Sequence, residues 1–134
     1  MNILFLLLPK SEVDFVYSDM TTRQVLEKMK AHHYSMIPML ERKTGHYLRS
    51  ITDGEILNYI LENRLGFDAL EQTPILSVPS MRNIKAVPIT AEESDLFEMI
   101  ISQNYVPVVD DKGVFIGIVT RKKVLTSTLD KIKN

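Results

Sequence analysis

The strongest constraint on the fold is that the chain repeats itself. A helix-like stretch, Val25-Leu26-Glu27-Lys28-Met29, runs into an apolar segment, Ser35-Met36-Ile37-Pro38-Met39-Leu40. A second, Ser94-Asp95-Leu96-Phe97-Glu98-Met99, runs into Asn104-Tyr105-Val106-Pro107-Val108-Val109. Charged turns follow, Glu41-Arg42-Lys43-Thr44-Gly45 and Asp110-Asp111-Lys112-Gly113, and then further apolar runs, Tyr47 to Thr52 and Val114 to Thr120. Helices open next, at Glu55-Ile56-Leu57 and at Lys123-Val124-Leu125. Pro38 to Thr52 is 14 positions and Pro107 to Thr120 is 13, so the first turn carries one extra residue. Loops tolerate such slips at little cost. Self-similarity of this kind marks one supersecondary unit used twice.

With opening strands at Val13 to Tyr17 and Ile84 to Ile89, each copy reads strand–helix–strand–strand–helix. The predicted fold is mixed α/β (α+β), two β-α-β-β-α repeats packed with pseudo-twofold symmetry. Each copy has roughly 60 residues, the margin of independent stability, so the two are expected to form one unit. Residues 1–66 read as the first repeat with an N-terminal lead-in, 67–78 as a connector with one short helix, and 79–134 as the second repeat. Thr21 with Gln24 fits a capping box, and so does Thr90 with Glu93, with Ser94 a rival cap. Gly66 falls where a C-terminal cap would close a helix over Ile56 to Leu65.

Composition narrows the chemistry. With 16 Lys+Arg against 17 Asp+Glu, the net charge of −1 argues against a nucleic-acid partner. The absence of Cys removes disulfides, Cys-based metal sites and a thiol nucleophile. The apolar run Ile3 to Leu8 is far short of the ~20 residues a membrane span needs. It lacks the basic flank and small-residue cleavage site of a signal peptide, so it reads as a buried lead-in, and the expected location is cytoplasmic. Adjacent His32 and His33 point different ways on a helix and make a poor metal pair. There is no glycine-rich phosphate loop and no nucleophile–base constellation, so neither a metal site nor catalysis is expected.

Two motifs, each present in both copies, resemble a tandem cystathionine-β-synthase (CBS) domain pair, or Bateman module, of the stand-alone bacterial type. The resemblance runs from about Val13 to Leu125. One motif is a small polar residue, any residue, an apolar residue and Pro: Ser35-Met36-Ile37-Pro38 and Asn104-Tyr105-Val106-Pro107. The other is Thr, two residues and an acid at the mouth of a helix. Thr52-Asp53-Gly54-Glu55 fits it, whereas Thr120-Arg121-Lys122-Lys123 has Lys in place of the acid.

The resemblance implies a non-catalytic regulatory sensor that binds adenine nucleotides in clefts between its copies and acts on an effector protein. It also implies a disc-like homodimer. Thr52 would contact phosphate or ribose, and Glu55 would accept ribose hydroxyls. Ser35, Ile37, Pro38, Asn104, Tyr105, Val106 and Pro107 would line the clefts on sheet edges. Tyr34 and Tyr105 could stack on a base. Val16 lies in the first opening strand, and Lys10 just before it could reach a phosphate. Thr120, Arg121, Lys122 and Lys123 suit phosphate better than ribose, because Lys cannot accept a hydrogen bond.

Plainer readings stand beside each of these. Thr-x-x-Glu is also an ordinary capping box. Ile37, Val106 and the tyrosines also suit a buried strand or rim. The turn at Arg121 to Lys123, in a C-terminal stretch with five Lys/Arg and one Asp, also suits a solvated surface. AMP, ADP or ATP would fit the first copy. Cyclic di-AMP is the alternative that the basic turn favours, and a dimerisation module with degenerate clefts is another.

Overall fold

The computed structural model describes residues 2–133. In chain order its elements are β1 (Leu8–Pro9), β2 (Val16–Tyr17), α1 (Thr22–His32), β3 (Met36–Leu40), β4 (Tyr47–Thr52), α2 (Asp53–Asn63), α3 (Phe67–Leu70), β5 (Val87–Pro88), α4 (Glu93–Ser102), β6 (Tyr105–Val109), β7 (Phe115–Thr120) and α5 (Arg121–Lys133). Short 3-10 turns lie at Ile3–Phe5, Lys10–Glu12 and Ile75–Ser77. The fold is mixed α/β, and each copy has the order β-α-β-β-α that the repeat predicts. Two compact units result: residues 14–83, and residues 2–13 together with 84–133.

In the 14–83 unit the strand order is β2-β3-β4, with β2 parallel and β4 antiparallel to β3. Val25 and Met29, one helical turn apart on α1, pack with Ile37, Met39, Ile51 and Ile56. Val16, Ile75 and Val78 complete that core. The predicted capping box starts α1: Gln24 N donates to Thr21 Oγ1 at 3.2 Å, and Thr21 N donates to Gln24 Oε1 at 2.9 Å. The helix ends at His33, whose backbone is left-handed (φ 58°), with Tyr34 N closing on Met29 O at 2.9 Å.

The end of α2 differs from the sequence expectation. Arg64, not Gly66, takes the left-handed position (φ 53°), and Leu65 N bonds Ile60 O at 3.1 Å. The last carbonyls are thus satisfied two residues early. Gly66 is extended and precedes α3, the connector's one α-helix.

The other unit has the strand order β1-β7-β6-β5. Its last three strands repeat the first sheet, and β1 adds an antiparallel strand to β7 through Leu8↔Ile118 and Pro9↔Gly117. The lead-in is partly buried, as expected: Ile3 and Leu6 join the core of Val87, Leu96, Ile100, Val106, Val108, Val119 and Val124, whereas Leu4 and Phe5 are exposed. Neither Thr90 nor Ser94 caps α4. The helix begins at Glu93 behind Glu92, whose N–H is held by Asp95 Oδ2 at 3.0 Å. Asp95 at the third helical position plays the part usually taken by Glu or Gln in a capping box, with Glu92 rather than Thr at the cap.

The copies match in detail. Register shifts fall between Met39 and Leu40 and between Val108 and Val109. The hairpin turns close with left-handed glycines, Gly45 (φ 75°) and Gly113 (φ 84°). Glu41 N bonds His46 O, whereas Asp110 N bonds Val114 O, which places the extra residue in the first turn.

The opening strands are shorter than predicted. Each is two residues long because the chain turns at once, with Met20 N on Tyr17 O at 3.1 Å and Ala91 N on Pro88 O at 2.9 Å. The Pro-containing strands β3 and β6 are internal, not edge, strands. The short opening strands explain how Pro is tolerated there. β2 pairs only with Met39 and Leu40, and β5 only with Val108 and Val109, so Pro38 and Pro107 lie beyond the parallel ladder and lose no bond to it.

Candidate functional site

The two motifs meet at the start of α2 and of α5. In the first copy Asp53 N donates to Ser35 O at 3.0 Å; in the second, Arg121 N donates to Asn104 O at 2.8 Å. This bond ties the strand entrance to the first residue of the following helix in both copies. It leaves Ser35 and Asn104 exposed beside two helix N-termini, where the helix dipole favours anions.

The first helix mouth is sealed from within. Glu55 N donates to Thr52 Oγ1 at 3.1 Å, and Thr52 N donates to Glu55 Oε1 at 2.7 Å, a complete capping box. The Thr52 hydroxyl also donates to that oxygen at 3.1 Å. Glu55 Oε2 accepts from Met81 N at 2.6 Å and from Arg82 N at 3.3 Å. Arg49 Nη2 lies 3.1 Å from Oε1 in ion-pair contact without hydrogen-bond geometry, while Arg49 Nη1 donates to Val78 O at 2.7 Å. Glu55 is 3% exposed. Burial pushes its carboxyl up, but the N–H donors of Met81, Thr52 and Arg82 and the Arg49 charge outweigh that and hold it below its ordinary value. The sequence reading gave Glu55 to ribose; in the structure both its oxygens already have protein partners.

The second helix mouth is half of that arrangement. Lys123 N donates to Thr120 Oγ1 at 3.1 Å, and no acid returns the bond. Lys122 and Lys123 are exposed. Arg121 folds back instead, its Nε donating to Ile100 O at 2.6 Å, which satisfies a carbonyl near the end of α4 and fixes the guanidinium. Lys123 lines a cavity of about 360 Å³ with Phe5, Leu6, Thr126, Ser127 and Asp130. Lys131 closes it and is paired with Glu93 at 2.8 Å.

The remaining candidate residues divide. The side chains of Ile37 and Val106 are buried in the core of their own units, as is that of Val16. Pro38, Pro107 and Tyr105 are buried too, so Tyr105 has the core role rather than that of an exposed stacking ring. Tyr34 is exposed, but its hydroxyl donates to Asp14 Oδ2 at 2.8 Å and its ring stacks on His32 at 5.6 Å between centroids. Lys10 lies in the 3-10 turn packed on β7, in the unit of the second copy rather than beside Val16. Sequence reasoning missed Arg49. Its signal is faint: a lone Arg in a strand, six residues before the buried acid it serves.

The sequence of CBS domains matches residues 7–62 and again residues 77–130. The chain belongs to the CBS domain family and carries two copies of the domain. No curated protein matches it. Among solved structures it is similar to CbpB in complex with c-di-AMP, with a TM-score of 0.90 at 20% identity over 99% of this chain and 87% of that one. A hypothetical conserved protein from Geobacillus kaustophilus matches with a TM-score of 0.86 at 26% identity over 98% of both chains. CBSX2 in complex with AMP matches with a TM-score of 0.75 at 17% identity, covering 99% of this chain and 98% of that one. Among the described residues no helix is long and apolar enough to cross a membrane, and no group of His, Cys, Asp or Glu could hold a metal ion.

Proposed function

We propose that this chain is a non-catalytic regulatory module that binds an adenine nucleotide and modulates a partner protein in the cytoplasm. The observation that carries this reading is the duplicated helix mouth of a CBS domain pair. Asp53 N on Ser35 O and Arg121 N on Asn104 O build the same entrance twice, each beside a helix N-terminus suited to phosphate. Thr120 with Lys122 and Lys123 in the second copy are the groups assigned to the phosphates; in the first copy, where the Thr52 hydroxyl already donates to Glu55, that part falls to the N-terminus of α2. The AMP/ADP/ATP class is the general reading.

Cyclic di-AMP is the second reading. It is supported by Lys123 standing where an acid would be expected and by the likeness to CbpB in complex with that dinucleotide. A homodimer is part of the proposal. Leu57 and Leu61 on α2 and Leu125 and Leu129 on α5 are exposed, and they hold equivalent positions in the two copies. One-turn spacing makes each pair a short apolar stripe that a second copy of the chain would cover.

The test is thermal stabilisation across AMP, ADP, ATP and cyclic di-AMP, with native mass spectrometry of any co-purified ligand and of the oligomer. A ligand that binds only the folded state raises the melting temperature, with a stabilisation that grows as the logarithm of its excess over Kd. Stabilisation by a nucleotide supports the reading. No shift at millimolar concentration of any of them overturns it in favour of a purely structural module.

A further inference from the structure

The cis-diol of a ribose presents two O–H donors, and a carboxylate holds it only if two acceptor positions are open. An ionised carboxylate has about four such positions. Glu55 spends them inside the protein: Oε1 on Thr52 N and Thr52 Oγ1, Oε2 on Met81 N and Arg82 N. The last two donors are consecutive backbone N–H groups converging on one oxygen, the number a diol would bring.

The arrangement is held from the other side as well. Arg49 lies 3.1 Å from Glu55 Oε1 and grips Val78 O at 2.7 Å, so one ion pair pins the segment from Val78 to Arg82 by its carbonyl and its N–H groups together. Val78 is itself part of the core. A diol would have to break two charge-assisted hydrogen bonds from Met81 and Arg82 and disturb a buried charge pair, and it would return only two bonds of the same kind. In the second copy the matching position is Lys123, which has donors and no acceptor.

We propose, on the footing of the nucleotide-binding reading above, that neither copy recognises the ribose diol. The chain is indifferent to the 2′ and 3′ hydroxyls of an adenine nucleotide. Its ligand class therefore extends to nucleotides whose 3′ oxygen is already esterified to phosphate, because esterification costs such a site nothing.

The experiment compares the affinities of the intact chain for AMP, 2′-deoxy-AMP and adenosine 3′,5′-bisphosphate by isothermal titration calorimetry. Hydrogen exchange at the Met81 and Arg82 amides is followed with and without saturating AMP. The proposal expects the two analogues to bind within about threefold of AMP or more tightly, whereas a carboxylate reading the diol would cost the deoxy analogue roughly tenfold or more. It expects both amides to stay protected when AMP is bound. A deoxy analogue that is tenfold weaker, or loss of protection at Met81 and Arg82 on binding, overturns this proposal while leaving nucleotide binding intact. Failure of all three ligands to bind overturns the nucleotide-binding reading and this one with it.

Discussion

Arg49 and Glu55 form a buried ion pair, 3.1 Å between Nη2 and Oε1, in which each partner also grips the backbone of the segment from Val78 to Arg82. Removing either charge strands the other away from water. Arg49→Met is expected to destabilise the chain by about 3 kcal/mol, and Glu55→Gln by a similar amount. The double variant Arg49→Met/Glu55→Leu should lose clearly less than the sum. Urea unfolding followed by far-UV circular dichroism gives all three values. Additive losses would show that the two side chains act independently.

Acid should act through the same carboxylate. Glu55 is held below its ordinary value of 4.5, so its contribution to stability is complete above that pH in the unfolded chain's terms. The contribution is lost as pH falls through the lower folded value, because the unfolded state then binds the proton more readily. Midpoints of urea unfolding measured from pH 7 down to pH 3 should fall less steeply for Glu55→Gln than for the parent below pH 4.5. Parallel curves would remove Glu55 from the acid response.

Gly117 has a positive φ of 155°, and a Cβ there would lie 2.2 Å from the carbonyl oxygen of Leu8. That contact is backbone on β1 and cannot swing aside. Gly117→Ala should therefore cost about 2 kcal/mol or more and detach β1 from β7. Limited proteolysis should then cut the lead-in before Val13 faster than in the parent. Unchanged cleavage would mean that β1 tolerates the shift.

His33 and Arg64 hold left-handed backbone at the ends of α1 and α2, where glycine carries no steric penalty. His33→Gly and Arg64→Gly should each stabilise by roughly 0.5–1 kcal/mol, the relief being partly offset by the greater freedom of glycine in the unfolded chain. Thermal melts at neutral pH check this, and lower melting temperatures would contradict it.

The repeat was legible because its markers are local. Pro38 and Pro107, the turn glycines and the Thr21–Gln24 and Thr52–Glu55 boxes each announce themselves within a few residues. The end of α2 and the start of α4 depart from the sequence rules for one reason: Arg64 and Glu92 hold the cap positions that those rules assign to Gly and Thr. The site was legible as a place but not as a set of roles. Thr52-x-x-Glu55 looks the same whether its carboxylate faces a ligand or a distant stretch of chain. The partners that decide it, Arg49, Met81 and Arg82, come from a neighbouring strand and from 26 or more residues away. Burial likewise turned Ile37, Val106 and Tyr105 into core, which alternating apolar residues alone could not distinguish from a lining.

The pairing of β1 with β7 has a consequence for synthesis on the ribosome. The 14–83 unit is contiguous and can close as soon as Arg82 has emerged to meet Glu55. The strand that precedes it must wait, its partner Gly117 being more than a hundred residues downstream. During that interval Ile3 and Leu6 have no core to join. The lead-in is thus made before the 14–83 unit yet sheltered after it, which makes it a natural foothold for a chaperone.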